Sequence, residues 1–420
     1  MLTGDASKFS CVNLNVIIIS RTGAFSFIYS RLLPIISVSH LRLAIVHHDL
    51  FVRGGAERLA CEVGDRLEKR GHEVVYVTSR FIPELSYPKL RSKKVIKVGF
   101  PVRLPGGYAH AYVEAFNTFR SLLKTFRRVD VDALLFSKQY SLLYFAKRLR
   151  NVPSVMYVHW PERLSAQVTT TLRRFYRRPI EQMEGVSFLD ADAVLCNSKF
   201  TARVISALFS REAIVAYPGV DTDFFKPSDQ ENSMDENLIL SVNRFAEYKN
   251  LELAIEAMCL VSKEIPEAHL IIAGNVDKES YGYYSRLRKM VDDKGLSRAV
   301  TIIINITDAD ILKLYQRCAI FLYTPTREHF GIGPIEAMAC GKPVIVSDHG
   351  GPKESVIHEV TGFRLPNNPK TWADHIVKLV NEPEIRIEMG KAGRRHTESN
   401  FTWDRTVDMI ESVLKDILGT

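Results

Sequence analysis

Short apolar runs alternate with amphipathic segments from residue 41 to the end of the chain. The run 43–47 ends at a loop, an amphipathic segment follows over 56–70, and the next apolar run is 74–78. A buried strand, a helix and a second strand in this order form a β-α-β unit, whose strands lie parallel in one sheet. A second alternating series begins at Leu238. The pattern predicts an α/β chain with two doubly wound, Rossmann-like domains.

A polar stretch that begins after Tyr217 separates the two series and reads as a linker. Two such domains face a central cleft, where ligands bind beyond the carboxyl ends of the strands. We expect an N-terminal extension (1–40), a first domain (41–217), a linker (218–237), a second domain (238–400) and a C-terminal helix (401–420).

The extension has apolar stretches at 16–19 and 25–38, which Arg21 and Arg31 interrupt. Neither stretch has the length of a membrane span, and a secretory signal would have a longer apolar core and a small-residue cleavage site. Three interpretations remain: a poorly ordered extension, a membrane-surface segment, or a start codon placed too far upstream. We favour the first or the third.

The formal net charge of +8 suits an anionic ligand, a nucleotide or an acidic membrane surface, without specifying one. The six cysteines are far apart and predict buried, reduced thiols rather than a zinc site or a disulfide framework. Three Asp-x-Asp pairs, at 190–192, 221–223 and 308–310, fall at element boundaries, where Asp serves in caps and turns. Asp308 in particular is predicted to cap the helix that follows it. We therefore predict no bound metal.

The segment 327–336, Arg-Glu-His-Phe-Gly-Ile-Gly-Pro-Ile-Glu, predicts a glycine-rich loop that opens a helix. Gly333 fits the N-cap and Pro334 the first helical position. The free N–H groups at such a helix start bind a phosphate or a sugar anion. Glu328 would lie before the helix and Glu336 in its first turn, as two separate ligand contacts. The alternative for Glu336 is that it only caps its own helix.

Arg244 and Lys249 follow the first predicted strand of the second domain. The carboxyl end of this strand faces the cleft, so a guanidinium and an ammonium here can reach a diphosphate. They would stabilise the charge that builds on a departing nucleotide diphosphate. The alternative is a solvated loop in which Glu247 and Lys249 form an exposed mixture of charges.

Two features of the first domain suit ligand contact. Gly54 and Gly55 follow its first strand and let the backbone approach a ligand closely. The dinucleotide motif Gly-x-Gly-x-x-Gly is absent there, which disfavours a nicotinamide dehydrogenase. His159 follows an apolar strand and can donate to a sugar hydroxyl, although a buried histidine with satisfied hydrogen bonds is the alternative.

A basic segment with interleaved aromatic residues carries Arg173, Arg174, Arg177 and Arg178. Such a patch suits an acidic bilayer surface or a phosphorylated lipid head group, which predicts peripheral membrane contact. A solvated helical face is the alternative. No nucleic-acid-binding module is visible, and we expect no nucleic-acid partner.

Taken together, these residues resemble the retaining GT-B glycosyltransferases of family 4 over 41–420. The segment 328–336 resembles the E-x7-E signature of that family, and Arg244 and Lys249 match its R-x4-K pair. Further matching segments in family order are 54–58, His159, 217–221 and 350–355. The amino-acid sequences of segments 47–58 and 158–162 most resemble those of the Alg2-type mannosyltransferases that extend lipid-linked oligosaccharides.

The resemblance implies a role for each matching position. Glu328 would hold hydroxyls of the donor sugar, which His159 would also contact, and Glu336 would bind the ribose hydroxyls. Arg244 and Lys249 would grip the diphosphate. The remaining implied donor contacts are Gly55 at the phosphate, the backbone amides of Phe330, Gly331 and Ile332 at the sugar or its phosphate, and Asn305, Ile306 and Thr307 at the base.

The implied reaction is a retaining transfer of a hexose, mannose from GDP-mannose, onto a lipid-linked or glycan acceptor. The family needs no cofactor, and the nucleotide sugar is a substrate that binds mainly to the second domain, with the acceptor entering from the first. A cytoplasmic location follows, with peripheral membrane contact. The apolar membrane-associating helices of the eukaryotic Alg2 enzymes are not found after Trp403. The alternatives are a same-fold transferase with a UDP- or ADP-sugar and a soluble acceptor, and a GT-B sugar-nucleotide epimerase.

Overall fold

The computed structural model describes residues 40–51, 53–98, 130–138, 140, 143–149, 152–165, 171–229 and 234–420. The predicted N-terminal extension therefore lies outside the described residues, except for His40. No helix in these ranges is long and apolar enough to cross a membrane.

The part of the chain that we call the first domain carries a seven-stranded sheet of order β3-β2-β1-β4-β5-β6-β7, in which every pairing is parallel. The strands are β1 (Arg42–Val46), β2 (Glu73–Thr78), β3 (Val95–Lys97), β4 (Ala133–Phe136), β5 (Ser154–Val158), β6 (Ala193–Cys196) and β7 (Ile214–Val215). The helices are α1 (Gly55–Lys69), a 3-10 helix (Pro88–Ser92), α2 (Leu143–Leu149), α3 (Glu162–Ser165), α4 (Thr171–Asp190) and α5 (Lys199–Phe209).

The second domain carries a six-stranded parallel sheet of order β10-β9-β8-β11-β12-β13. Its strands are β8 (Leu238–Val242), β9 (His269–Gly274), β10 (Val300–Ile304), β11 (Ile320–Tyr323), β12 (Val344–Ser347) and β13 (Gly362–Leu365). Its helices are a 3-10 helix (Glu247–Lys249), α6 (Leu251–Glu264), α7 (Tyr281–Asp293), α8 (Asp308–Arg317), α9 (Ile332–Ala339), α10 (Pro352–Ser355), α11 (Pro369–Asn381) and α12 (Pro383–Asn400).

The strand order reverses between β1 and β4 in one sheet and between β8 and β11 in the other. Open α/β sheets bind ligands at such switch points, beyond the carboxyl ends of the strands. The two doubly wound sheets confirm the fold class that the alternating pattern predicts. The edge strands β7 and β13 were not predicted, because β7 has only two residues and β13 is not a continuous apolar run, since it begins with Gly362 and contains Arg364.

The last helix, α13 (Trp403–Leu418), returns to the first domain. Its apolar face, including Trp403 and Ile410, belongs to the same core cluster as Ile45 of β1. The two connections between the domains lie side by side, because Val220 donates its N–H to the carbonyl of Phe401 at 2.8 Å. The linker and the segment that leads into the last helix thus pass between the domains next to each other.

Helix α9 begins two residues earlier than the sequence predicts. Its N-cap is Gly331 and its first residue is Ile332, so the prediction of Gly333 as N-cap and Pro334 as the first helical residue is wrong. Gly331 has a φ of +85°, and a Cβ there would lie 2.7 Å from the ring of Tyr323. The positive φ and the close ring together require glycine at this N-cap.

The shift moves Glu336 to the fifth position of α9, outside the first turn, where it cannot cap the helix. The capping interpretation of Glu336 is therefore wrong. The predicted cap of α8 is also wrong, since Thr307 is the N-cap and Asp308 is the first helical residue. Asp310 completes a capping box with Thr307, because a carboxylate three residues after the cap can reach back to its N–H.

Candidate functional site

The switch point of the second sheet brings together residues that are distant in sequence. Strand β8 pairs with β11, so the loop that carries Arg244 and Lys249 lies beside the loop that carries Glu328. Lys249 and Glu328 are 79 positions apart in the chain, and their side chains are in contact. The topology thus joins the predicted diphosphate cations to a predicted sugar-binding carboxylate.

Lys249 and Glu328 form a mostly buried ion pair, with side chains 10% and 15% exposed. The Lys249 Nζ donates to Glu328 Oε2 and, at 3.3 Å, to the hydroxyl of Tyr323, which itself donates to Glu328 at 3.0 Å. Burial opposes ionisation of Glu328, but the nearby ammonium outweighs it and holds the pKa of this carboxyl below its usual value. The interpretation of Lys249 as part of an exposed charge mixture is wrong.

Arg244 lies at the open rim of this loop. Its side chain is exposed and donates from Nη2 to the hydroxyl of Tyr248 at 3.0 Å. Glu247, which the alternative interpretation paired with Lys249, instead accepts a hydrogen bond from Arg286 at 2.5 Å. The guanidinium of Arg244 therefore remains accessible next to the buried pair.

Residues of both domains shape the loop that carries Glu328. Ser198 of the first domain donates to the carbonyl of His329 at 2.6 Å, and the Trp160 ring stacks on the His329 ring with centroids 3.9 Å apart. On the other side, the N–H of Gly351 donates to the carbonyl of Glu328 at 2.9 Å. A Cβ at Gly351 would overlap the backbone of His329, so this close approach requires glycine.

The first residues of two helices meet across the cleft. A Cβ on Gly55, at the start of α1, would lie 3.4 Å from Cδ1 of Ile332, at the start of α9. Both helix starts carry free N–H groups and the positive end of a helix dipole. The predicted phosphate contacts Gly55 and Ile332 are therefore neighbours in the structure, and the electrostatics of this point favour an anion.

Glu57, in the first turn of α1, is held as a carboxylate. It accepts from His47 Nε2 at 3.2 Å and from Lys138 Nζ at 2.9 Å on the same oxygen. Burial would raise its pKa, but these two donors outweigh burial and lower the pKa of Glu57 to about 2. The carboxylate therefore supports the cleft wall and cannot supply a proton at neutral pH.

His159 follows β5 and is half-buried. Its backbone N–H donates to the hydroxyl of Tyr140 at 2.8 Å, and its ring Nε2 lies 3.4 Å from Ser137 Oγ. Burial, with smaller contributions from His47 and Lys138, lowers the pKa of His159 to about 3. The ring is neutral at physiological pH, so it can offer one donor and one acceptor to a sugar hydroxyl.

Glu336 has a partner in each domain. Its Oε1 accepts from Arg58 Nη1 at 2.5 Å, and its Oε2 accepts from the hydroxyl of Tyr315 at 3.1 Å. Arg58 lies one turn after Gly54 in α1 and belongs to the first domain. The carboxylate predicted to bind ribose therefore touches the opposite side of the cleft.

The remaining predicted donor contacts lie around this centre. Phe330 is buried, with its ring centroid 5.6 Å from that of Tyr217. Asn305, with a φ of +57°, and Thr307, the cap of α8, follow β10 at the edge of the sheet. Ile306 packs against the same core cluster as Ile332, but no described contact joins residues 305–307 to the Lys249–Glu328 pair.

The basic segment of the first domain forms part of α4. Arg178 is exposed, and the side chains of Arg173, Arg174 and Arg177 lie outside the described part of the structure. Arg178 lines a cavity of about 980 Å³ between α4 and α5, away from the cleft. Among the described residues, no group of three His, Cys, Asp or Glu side chains is arranged to hold a metal ion.

Two protein-family models match the chain in succession. Residues 53–224 match Glycosyltransferase Family 4, and residues 223–396 match Glycosyl transferases group 1. The alpha-1,3/1,6-mannosyltransferase ALG2 of Homo sapiens is 34% identical over 390 residues, which cover 87% of this chain and 94% of the human protein. The chain belongs to the ALG2 mannosyltransferase family. The Saccharomyces cerevisiae ALG2 is 29% identical, over 82% of this chain and 79% of its own length.

Solved structures share the fold of this ALG2-family chain at lower identity. Sucrose-phosphate synthase from Thermosynechococcus elongatus has a TM-score of 0.76 and 19% identity, over 90% of this chain and 99% of the other. Anabaena HepE in complex with UDP and glucose has a TM-score of 0.72 and 19% identity, over 90% and 100%. The ALG2-family chain therefore has the GT-B fold, as its sequence predicts.

Sequence reasoning on this ALG2-family chain missed several residues of the site. Tyr323 and Trp160 were given no role, although Tyr323 donates to Glu328 and Trp160 stacks on His329 of the same loop. Lys138 was also given none, although it holds Glu57, two residues after the predicted contact Gly55. Arg58 was noted only as the end of a matching segment. Their position was an available signal, because all four lie near the cleft-facing ends of strands or helices. Their partners come from other elements, so no local pattern could pair them.

Proposed function

We propose that this chain transfers a mannosyl residue from GDP-mannose to a lipid-linked glycan acceptor, with retention of the anomeric configuration. Membership of the ALG2 family supports the sugar, since the curated relatives are alpha-1,3/1,6-mannosyltransferases. The observation that carries the site is the contact of Lys249 with Glu328 at the switch point of the second sheet, beside the accessible Arg244.

The donor diphosphate would lie where the starts of α1 and α9 converge. The helix N-termini at Gly55 and Ile332 favour a diphosphate, and Lys249 and Arg244 add two positive charges on one side. This charge would stabilise the diphosphate most strongly when it departs, since its negative charge rises as the bond to the sugar breaks.

The sugar would lie between Glu328 and His159. Glu328, ionised and acceptor-only, suits two hydroxyls of mannose, whereas the neutral His159 can donate one hydrogen bond. The acceptor hydroxyl would attack C1 from the face on which the diphosphate leaves. Its oxygen bonds to C1 as the C1–O bond to the diphosphate breaks, the electron pair leaves with the phosphate oxygen, and that oxygen takes the hydroxyl proton.

Peripheral membrane contact through α4 is part of this proposal. Arg178 shares its cavity with Leu189 and Leu208, which are 64% and 37% exposed. Basic and apolar side chains on one face suit an acidic membrane surface, where a lipid-linked acceptor is found. A vesicle co-sedimentation assay with Arg178→Glu, on anionic and on neutral vesicles, measures this contribution.

The reaction is tested with the full chain, a short lipid-linked glycan acceptor and a panel of GDP-mannose, UDP-glucose and ADP-glucose. We expect transfer from GDP-mannose and an α-linked product by NMR. Preference for another donor would overturn the base assignment. Conversion of the donor sugar in the absence of any acceptor would instead identify an epimerase.

A further inference from the structure

The Glu336 carboxylate is mostly buried, with its side chain 11% exposed, and each of its oxygens has one protein donor. Arg58 binds Oε1 at 2.5 Å and Tyr315 binds Oε2 at 3.1 Å. Burial raises the pKa of the Tyr315 hydroxyl well above its ordinary value, so it stays protonated and donates. The carboxylate is thus fixed from both sides.

A carboxylate offers about four acceptor positions on its two oxygens. Arg58 and Tyr315 occupy one on each oxygen, which leaves about one on each for a ligand. A ribose diol presents two adjacent hydroxyl donors, one for each oxygen. The bound guanidinium therefore leaves acceptor positions for a ribose diol at Glu336, while it holds the carboxylate in one orientation.

Arg58 is itself held in place. Its backbone N–H donates to the Gly54 carbonyl at 2.9 Å, and its guanidinium carbon lies 5.9 Å from the Tyr87 ring centroid and 6.0 Å from that of Phe225. The Arg58 side chain is 21% exposed. An arginine packed between rings loses little further freedom on pairing, so its Nη1–H remains directed at Oε1 of Glu336.

We propose that Arg58 is a positioning residue of the nucleotide site, supplied by the opposite domain. It acts through Glu336, and this inference rests on the proposed ribose contact of Glu336. Because α1 and α9 belong to different domains, the nucleotide site is complete only when the first domain is closed against the second. Donor binding and closure of the cleft then favour each other, since each provides what the other needs.

The experiment is titration calorimetry of the full chain with GDP, and with UDP for comparison. Arg58→Met should weaken GDP binding on the order of 10- to 100-fold, the loss expected for one charge-assisted hydrogen bond that orients a binding group. Arg58→Lys, which keeps the charge but not the fork, should recover part of the loss. Arg66→Met is the matched control, because Arg66 lies two turns further along α1 and pairs with Glu62, away from the cleft.

A double-mutant cycle tests whether Arg58 acts through Glu336. In a Glu336→Gln background, Arg58→Met should weaken GDP binding no further. A full additional loss there would overturn the inference, as would unchanged or tighter GDP binding by the single Arg58→Met variant, since tighter binding would identify Arg58 as a competitor of ribose.

The failure of the inference is distinguishable from failure of the proposed function. If Glu336→Gln alone leaves GDP affinity unchanged, the ribose contact is wrong and the inference fails with it. If Glu336→Gln weakens binding and Arg58→Met does not, only the role of Arg58 is refuted. The donor KM should rise more than kcat falls in Arg58→Met, which a general loss of folded protein would not produce.

Discussion

Replacement of Lys249 by methionine removes the only described cation in contact with Glu328, while it keeps most of the side-chain volume. Both side chains are far below one-third exposed, so the pair is little screened by solvent. Loss of one partner of such a pair costs about 3 kcal/mol of folding stability, because the remaining charge is left buried. Loss of a cation aimed at a departing diphosphate lowers kcat by about 100-fold or more.

The same replacement changes the pH dependence. In the parent, Lys249 depresses the pKa of Glu328, so this carboxylate contributes stability that is present above its unfolded pKa and is lost as the pH falls through the lower, folded value. In Lys249→Met the largest effect that remains is burial, which raises the pKa; His329 and the Tyr323 hydrogen bond oppose it less strongly, so we expect the pKa of Glu328 to rise. The sign reverses, and the variant should lose stability as the pH rises above the ordinary carboxyl pKa.

The assays are steady-state transfer from GDP-mannose near neutral pH and thermal unfolding from about pH 2 to about pH 8, a range that includes titration of the carboxyl below its ordinary pKa in the parent and above it in the variant. Lys289→Met is the control, because Lys289 is an exposed lysine of α7 and no described contact joins it to Lys249 or Glu328. Near-normal turnover in Lys249→Met, or an unfolding profile parallel to that of the parent, would refute the assignment of Lys249 to the diphosphate and its pairing with Glu328.

Three further predictions follow from the packing and the charges. Gly351→Ala should lower both the melting temperature and the turnover, because its Cβ would overlap the His329 backbone. Gly282→Ala, in helix α7 with open space around it, should lower neither, because alanine favours the helix; a Gly351→Ala variant that melts like the parent would contradict the close approach. The pKa of His159 near 3 means that the ring stays unprotonated in the native state, so the folding stability falls as the pH drops below about 6.5. His159→Gln should therefore lose less stability than the parent between about pH 7 and about pH 5. An NMR titration of His159 that finds an ordinary imidazole pKa would refute this. Removal of α13, residues 403–420, should expose the first-domain core and abolish cooperative unfolding of that domain, and a truncated chain that melts like the parent would show that this helix is dispensable.

The positions of several strands could be predicted from the sequence alone. Strand and helix periods placed β8, β10 and β11 at the observed residues, since buried parallel strands are continuous apolar runs between turn residues. The first residues of helices were harder to predict. The N-cap of α9 is Gly331 rather than Gly333, because the choice between nearby glycines depends on a positive φ and on the Tyr323 ring that packs there.

The sequence by itself determined that the chain alternates strand and helix, that it forms two doubly wound domains, that Arg244 and Lys249 follow a strand, and that Glu328 precedes the helix that carries Glu336. Local periodicity and glycine and proline positions carry this information, because they act over a few residues. Only the tertiary structure decided that Lys249 is buried against Glu328, and that Glu336 is held by Arg58 from the other domain. Both pairings depend on strand order and domain closure, which bring together charges that are distant in sequence and therefore invisible to any local pattern.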